Sequence, residues 1–267
     1  MFSIVIPLYN KELSINNTIL SVLNQTYQIF EIVIINDGST DSSVNVVNAI
    51  NDKRIRLIHQ ENQGVSAARN RGIKEAKYDW VAFLDGDDFW ESNHLEEIIN
   101  MMKLYQDENV YVTSFKYSDE RLMYKNERKD CIFKIEDYFK EAIREQLIWT
   151  SIVVINKSCF EKIGYFNMAI NRGEDLDVWM RLSKKYNIIK SQKVTAIYNL
   201  EDTNSLTKSK SNYNKSLLSL IDLKDKKGSE RLYLKKLLIN RIKSDIKTLD
   251  LIELVKILVK HNFELFR

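Results

Sequence analysis

The chain is poor in cysteine and has no long hydrophobic run. Its 267 residues include only Cys131 and Cys159, too few for a disulfide framework or a thiolate metal site. The longest apolar runs, such as residues 32–35, fall far short of the roughly 20 residues that span a bilayer. We expect no secretory leader. With 44% hydrophobic residues, the sequence predicts a globular protein of a reducing cytoplasm, with one large domain and a tail or two small domains.

Glycine is also scarce, and its placement argues against two kinds of nucleotide site. The seven glycines form neither the G-x-G-x-x-G fingerprint of dinucleotide-binding folds nor a Walker loop. A dinucleotide dehydrogenase and a P-loop kinase are therefore disfavoured. A site without a glycine cradle needs another way to hold a diphosphate, and a metal ion bound by carboxylates provides one.

Strand and helix signals alternate along the chain. The predicted strands cover residues 2–6, 31–35, 55–59, 79–84, 110–117 and 152–155. The predicted helices cover residues 13–23, 42–50, 65–76, 93–105, 135–145 and 176–185. This alternation predicts an α/β fold with a mostly parallel, Rossmann-like central sheet flanked by helices. Ligands of such sheets bind beyond the carboxyl ends of the strands.

Polar clusters follow three of these predicted strands. They are PLYN at residues 7–10, DGSTD at 37–41 and DGDD at 85–88. The third cluster places three carboxylates at the abrupt end of an apolar strand, and carboxylates so close repel one another unless a cation lies between them. Mg²⁺ or Mn²⁺, completed by phosphate oxygens, would relieve that repulsion. A solvated Asp-Gly turn is the alternative that this segment alone leaves open.

Five motifs in this order resemble the inverting family-2 glycosyltransferases of the GT-A fold. They are SIVIPLYN (3–10), NDGSTDS (36–42), NQGVSAARNRG (62–72), FLDGDD (83–88) and GED (173–175). The resemblance covers about residues 2–207. It implies a UDP-sugar donor, a divalent ion (Mn²⁺ or Mg²⁺) and transfer with inversion at the anomeric carbon.

The resemblance also implies a division of the chain. Residues 1–207 would form the GT-A catalytic domain, with a nucleotide-sugar-binding half at 1–105 and an acceptor-side half at 106–207. Residues 208–267 would form a basic helical C-terminal extension.

Roles on the donor side follow from the same resemblance, position by position. Pro7 and Tyr9 would form the wall against the uracil ring, and Asp37 would accept the proton of its N3. Arg69 would be a further nucleotide contact. The alternatives from the residues themselves are a strand-end proline for Pro7 and a surface ion pair for Arg69.

The resemblance assigns metal binding and the role of catalytic base to acidic residues. The resemblance makes Asp87 the principal metal ligand and Asp85 the ribose-side or metal-side carboxylate, with Asp88 in support. Asp175 resembles the family's catalytic base, and Glu174 would orient either that base or the acceptor. Acidic residues in a first helical turn can instead simply complement the helix dipole.

One departure from the family pattern concerns the third metal ligand. Many members carry a histidine after the last core strand, but residues 198–207 contain none, and the three histidines of the chain lie elsewhere. Glu201 or Asp202 would be a substitute. Alternatively, Ser205, Thr207 and Lys208 would contact phosphate from a mobile lid over residues 199–210.

The acceptor side and the tail give weaker signals. Trp149 and Arg172 fall where relatives face the acceptor, and Trp149 would either stack on a sugar ring or belong to the core. Residues 208–267 carry 15 Lys and Arg against 7 Asp and Glu, a net charge of +8, so the +3 of the whole chain leaves −5 on residues 1–207.

An amphipathic basic helix is predicted from Leu232 onward. Its apolar positions are Leu234, Leu238, Ile242, Ile246 and Leu249, and its basic positions on the opposite face are Lys236, Lys243 and Lys247. Such a helix either packs on the catalytic body with a solvated lysine face or lies on a membrane surface. A peripheral contact of this helix with the inner membrane is therefore one of the two interpretations.

The preferred function is an inverting, metal-dependent glycosyltransferase. It would add a hexose or N-acetylhexosamine to a glycan or lipid-linked oligosaccharide in bacterial surface polysaccharide synthesis, such as lipopolysaccharide, O-antigen or capsule. A sugar-nucleotide pyrophosphorylase is disfavoured because its glycine-rich, lysine-bearing N-terminal loop is absent. A non-catalytic nucleotide or glycan-binding module is the alternative from another class. No nucleic-acid partner is expected, since the aromatic residues lie in the acidic body.

Overall fold

The computed structural model describes residues 1–119, 121, 131–200 and 212–265, the last range without the side chains of residues 262–264. The strands within these ranges are β1 (Phe2–Leu8), β2 (Phe30–Asp37), β3 (Ile55–Gln60), β4 (Trp80–Phe83), β5 (Phe89–Trp90), β6 (Val110–Tyr117), β7 (Ile132–Lys134), β8 (Val153–Asn156) and β9 (Ile188–Tyr198). The helices are α1 (Ile15–Leu23), α2 (Ser43–Asn48), α3 (Val65–Glu75), α4 (His94–Leu104), α5 (Tyr138–Ala142), α6 (Ser158–Ile163), α7 (Glu174–Ser183), α8 (Gly228–Lys247) and α9 (Leu251–Leu265). Short 3₁₀ turns cover Thr150–Ile152, Tyr213–Lys215 and Leu217–Leu220.

The first four strands form a parallel sheet in the order β3-β2-β1-β4. Every residue of β2 is buried, and so is every residue of β1 except Pro7. A strand that is covered by helices on both faces exposes no side chains to solvent, so its sequence is a continuous apolar run. For that reason the sequence predicted them, and the predicted α/β fold class is confirmed.

Beyond β4 the sheet becomes mixed. Strand β8 is antiparallel to β4 and β6, β6 is parallel to β9, and β5 and β7 are antiparallel to β9. The long strand β9 was not predicted, because Lys190, Ser191 and Thr195 interrupt its apolar pattern even though all three are buried. The predicted helix at 135–145 is confined to α5, and α7 begins at Glu174, two residues earlier than predicted.

A single glycine lets helix α3 lie against the sheet. A Cβ added at Gly72 would lie 2.2 Å from Cγ1 of Val5 on β1, so no larger residue fits without movement. Helix α3 contacts both β1 and β2. This packing fixes Arg69, one turn earlier on the same helix, beside the carboxyl ends of the strands.

The C-terminal helices form a second apolar cluster on the catalytic body. Tyr233 of α8 packs edge-on against Tyr138 of α5, with ring centroids 6.1 Å apart, and the cluster also buries Leu234 and Leu238. The first two apolar positions predicted for this helix, Leu234 and Leu238, therefore pack against the catalytic body. Within the described residues, no helix combines the length and apolar character needed to cross a bilayer.

Two details of the predicted C-terminal helix are wrong. It ends at Lys247 and a second helix, α9, follows, because Leu249 takes a left-handed backbone conformation with φ of 56° that ends the helical path. Lys236, which was predicted on the face opposite the apolar positions, is part-buried and donates to the carbonyl of Ile143. A lysine that reaches back to the catalytic body ties α8 to it.

Candidate active site

A cavity of about 850 Å³ opens at the carboxyl ends of β1, β2 and β4. That volume lies within the range of about 300–1,000 Å³ that is usual for ligand pockets. The predicted site residues that line it are Pro7, Tyr9, Asp37, Arg69, Asp85, Asp87, Trp149, Glu174 and Asp175. One cavity therefore brings together the residues predicted for the donor, the metal ion and the base.

Asp37 ends β2 and organises the turn that leads into α3. Its side chain is buried, with 3% exposed. Asp37 Oδ1 accepts hydrogen bonds from Gln60 Nε2 at 2.7 Å and from Gln63 N at 2.9 Å. Asp37 Oδ2 accepts a hydrogen bond from Gly64 N at 2.8 Å. Gly64 has a φ of 88°, a conformation that favours glycine. Asp37 thus joins the cavity wall to the start of α3. Tyr9 lines the same cavity with 47% of its surface exposed.

The three carboxylates after β4 have different surroundings. Asp88 is 2% exposed, accepts from Ser151 Oγ at 2.7 Å and accepts from Asn199 N at 3.1 Å. Burial, followed by the charges of Asp87 and Asp85, raises the pKa of Asp88. All three carboxylates line the cavity, and Asp88 also holds the chain after β9 in place through its bond to Asn199.

Both cavity carboxylates are paired with a cation. Lys11 Nζ lies 2.7 Å from Asp87 Oδ2. Arg69, which is 4% exposed, spans two acids, with Nη2 2.8 Å from Asp85 Oδ1 and Nη1 3.0 Å from Glu174 Oε1. A planar guanidinium suits such a double pairing. The side chain of Arg69 thus links the segment after β4 to the start of α7.

Asp175 follows Glu174 in the first turn of α7. Burial, followed by the negative charge of Glu174, raises the pKa of Asp175 to about 6, although the positive charge of Arg69 acts in the opposite direction. The helix turns into the cavity because Gly173 takes a φ of 76° at its N-cap. A carboxyl with a pKa near 6 accepts a proton effectively close to neutral pH.

The donor set at Asp85 and Asp87 fits a hard divalent ion. Mg²⁺ typically takes one or two protein carboxylates together with substrate phosphates rather than a complete protein cage. Within the described residues, no group of three or more His, Cys, Asp or Glu is placed to hold a metal ion. The site fits an ion completed by oxygens from a substrate.

The predicted acceptor residues lie in different places. Trp149 lines the cavity but is 5% exposed, packed against Phe115 at 4.7 Å and Tyr198 at 4.9 Å between ring centroids. Arg172 is not among the described residues that line the cavity. Its carbonyl accepts from Leu217 N at 2.9 Å, so this position connects α7 to the C-terminal segment.

Some predicted residues lie outside the described part of the chain. They are Glu201, Asp202, Ser205, Thr207 and Lys208, the candidates for a third ligand or a lid. Sequence reasoning also missed Lys11, which lines the cavity. Its signal was position: it follows the PLYN cluster directly and so stands at the same sheet edge as Asp87.

The chain belongs to glycosyl transferase family 2. The family model of that name matches residues 3–164. A glycosyltransferase of Haemophilus influenzae is 47% identical over 105 residues, which are 38% of this chain and 42% of the relative. A glycosyltransferase of Rickettsia conorii is 35% identical over 191 residues, 70% of this chain and 30% of the relative. The chain thus spans less than half the length of these relatives.

Solved structures show the same fold. TarS 1-349 of S. aureus in complex with UDP has a TM-score of 0.64 at 21% identity, covering 74% of this chain and 60% of that one. The same TarS fragment in complex with UDP-GlcNAc has a TM-score of 0.67 at 18% identity, covering 89% and 65%. These likenesses identify the fold as GT-A.

Proposed function

We propose that this glycosyltransferase moves a hexose or N-acetylhexosamine from a UDP-sugar to a hydroxyl of a glycan or lipid-linked oligosaccharide, with inversion. The observation that carries the proposal is one cavity with a proton-accepting carboxyl, Asp175, beside the carboxylates of Asp85 and Asp87. The TarS complexes with UDP and UDP-GlcNAc support a UDP-sugar as the donor. The same proposal places the reaction in bacterial surface polysaccharide synthesis, such as that of lipopolysaccharide, O-antigen or capsule.

Inversion requires a single in-line displacement. The acceptor oxygen forms a bond to the anomeric carbon while the bond from that carbon to the diphosphate oxygen breaks, and UDP leaves with the electron pair. Asp175 takes the hydroxyl proton. The negative charge of Glu174, which lies 3.0 Å from Arg69, raises the pKa of Asp175 and so favours proton transfer to Asp175.

The donor would lie between the ends of β1 and β4. Pro7 and Tyr9 offer a wall for the uracil ring, and Asp37 offers a carboxylate for its N3 proton. The N-terminus of α3 also favours phosphate charge. A divalent ion held by Asp87 and Asp85 would supply charge neutralisation for the leaving diphosphate.

Two measurements test the proposal. Thermal stability should rise with UDP and Mn²⁺ together and return toward the ligand-free value when EDTA is added, because a ligand that binds only the folded state stabilises it. A panel of nucleotide-sugars should then yield UDP release from at least one UDP-sugar. Binding of UDP without turnover of any donor would instead favour the non-catalytic binding module.

We also propose that the protein is cytoplasmic and contacts the inner membrane through α9. The exposed face of α9 contains Leu251, Ile252, Val255 and Val259, which are 63%, 72%, 56% and 76% exposed. These positions lie within one arc of the helix, and the opposite side buries Ile257 in the second apolar cluster. The lysines of the tail add attraction to an anionic lipid surface.

Vesicle binding tests this contact. The chain should sediment with vesicles that contain phosphatidylglycerol and less with pure phosphatidylcholine, and Val255→Asp should abolish the difference. Leu104→Asp is the matched control, since Leu104 is 66% exposed on α4. A dimer in solution that Val255→Asp dissociates, without vesicle binding, would show that the face belongs to a second copy.

A further inference from the structure

The C-terminal segment makes backbone contacts with the loop that enters α7. We call residues 212–217 the brace. Asn171 N donates to Lys215 O at 2.8 Å, and Leu217 N donates to Arg172 O at 2.9 Å. These bonds flank a parallel β-bridge between Arg172 and Ser216. The brace therefore lies alongside the residues immediately before Glu174 and Asp175.

A side-chain contact fixes the same loop. Gly173 has a φ of 76°, and a Cβ added to it would lie 3.0 Å from Leu217 Cβ. Because a contact at 3.0 Å is tighter than nine in ten real Cβ contacts, Leu217 leaves little room for a side chain at position 173. The left-handed N-cap of α7 is thus held from outside by the brace.

The brace is itself anchored by buried bonds to α9. Tyr213, 3% exposed, donates its backbone N–H to Glu253 Oε2 at 2.5 Å, and its hydroxyl lies 2.9 Å from His261 Nε2. Glu253 in turn lies 3.5 Å from Arg241 of α8. The two C-terminal helices therefore hold the brace in place.

We propose that the C-terminal extension is a working part of the active site, in which Leu217 is a positioning residue for Asp175. This inference rests on the proposed role of Asp175 as base. Misplacement of a catalytic group by about 1 Å lowers a rate by up to about 100-fold, so a loop held by Leu217 and the brace hydrogen bonds matters for turnover. Donor binding, which depends on residues at β1, β2 and β4, does not require the brace.

The test compares Leu217→Ala with Leu220→Ala, a leucine of the same 3₁₀ turn that is 52% exposed. We expect Leu217→Ala to lower kcat by about tenfold or more while the Kd for UDP stays within about twofold, and to speed hydrogen exchange at residues 171–177. Leu220→Ala should change none of these. Equal kcat and exchange in the two variants would overturn the proposal, and so would an equal loss of UDP binding and kcat in Leu217→Ala.

Tyr213→Phe is the second variant, in case Leu217→Ala does not fold. It removes one hydroxyl from the anchor on α9 and should also speed exchange at residues 171–177 and lower kcat. Unchanged exchange and kcat would overturn the proposal. Hydrogen exchange is independent of catalysis, so a failure of the base assignment would appear separately, as full turnover in Asp175→Asn.

Discussion

Lys11 Nζ lies 2.7 Å from Asp87 Oδ2, and both side chains are mostly buried, at 13% and 15% exposure. The residue expected to bind the metal ion is thus already paired with a cation of the chain. A divalent ion at Asp87 would compete with that ammonium group, because the two positive charges repel each other at short distance.

Replacing Lys11 should therefore favour the metal ion. We expect Lys11→Met to bind Mn²⁺ about tenfold more tightly in the absence of nucleotide, as measured by calorimetry. Lys103→Met, on the exposed side of α4, serves as the control. A Lys11→Met protein with wild-type affinity for Mn²⁺ would show that Lys11 does not compete for Asp87.

The pH dependence of turnover should follow Asp175. A base must be deprotonated to accept a proton, so kcat should fall as pH drops through about 6, where Asp175 becomes protonated. The charge of Glu174 raises the pKa of Asp175; Glu174→Gln should therefore move this acidic limb to lower pH. Asp177→Asn, which loses the 2.7 Å pair with Arg181 on the same helix, should leave the limb in place. An unmoved limb in Glu174→Gln contradicts this account of the pKa.

Asp37 should contribute to the recognition of the uracil base. If its carboxylate accepts the N3 proton, Asp37→Asn should lower the affinity for UDP by about tenfold. Cytidine diphosphate carries no N3 proton, so its affinity should fall much less. Because Asp37 also holds Gln63 N and Gly64 N, the ratio of the two affinities is the informative quantity. A proportional loss of both nucleotides would indicate that Asp37 acts only through the turn.

Gly72 gives a prediction about stability. Gly72→Ala should lower the free energy of unfolding by about 1–3 kcal/mol, since an added methyl group overpacks the contact between α3 and β1. Val5→Ala should recover part of that loss in the double variant, because the atom nearest the new Cβ is Val5 Cγ1. Urea unfolding measures both effects. Additive losses in the double variant would show that Val5 is not the limiting contact.

The sequence was informative where physical constraints were local. Strands buried on both faces, such as β2, read directly as apolar runs. The cluster from Asp85 to Asp88 stood out because three carboxylates directly follow an apolar strand. The convergence of these clusters followed from the rule that parallel strands end at one edge.

Long-range pairing could not be predicted in the same way. No pattern around Lys11 indicates that it pairs with Asp87, and no pattern around Arg69 indicates that it bridges Asp85 and Glu174. The brace is a further case: its contact with Gly173 depends on chain segments that meet only after the C-terminal helices pack. Its sequence, NYNKSL, shows no periodic pattern of apolar residues that would predict a strand or a helix.

The most direct test of the account is a paired measurement on Asp175→Asn. The Kd for UDP with Mn²⁺ and the rate of UDP release from the preferred UDP-sugar would be measured on this variant and on the wild-type chain. We predict an unchanged Kd, within about twofold, and a rate lowered by at least about 100-fold, which is the usual contribution of a general base. A variant that binds UDP normally and retains most of its turnover would contradict the central claim that Asp175 is the base.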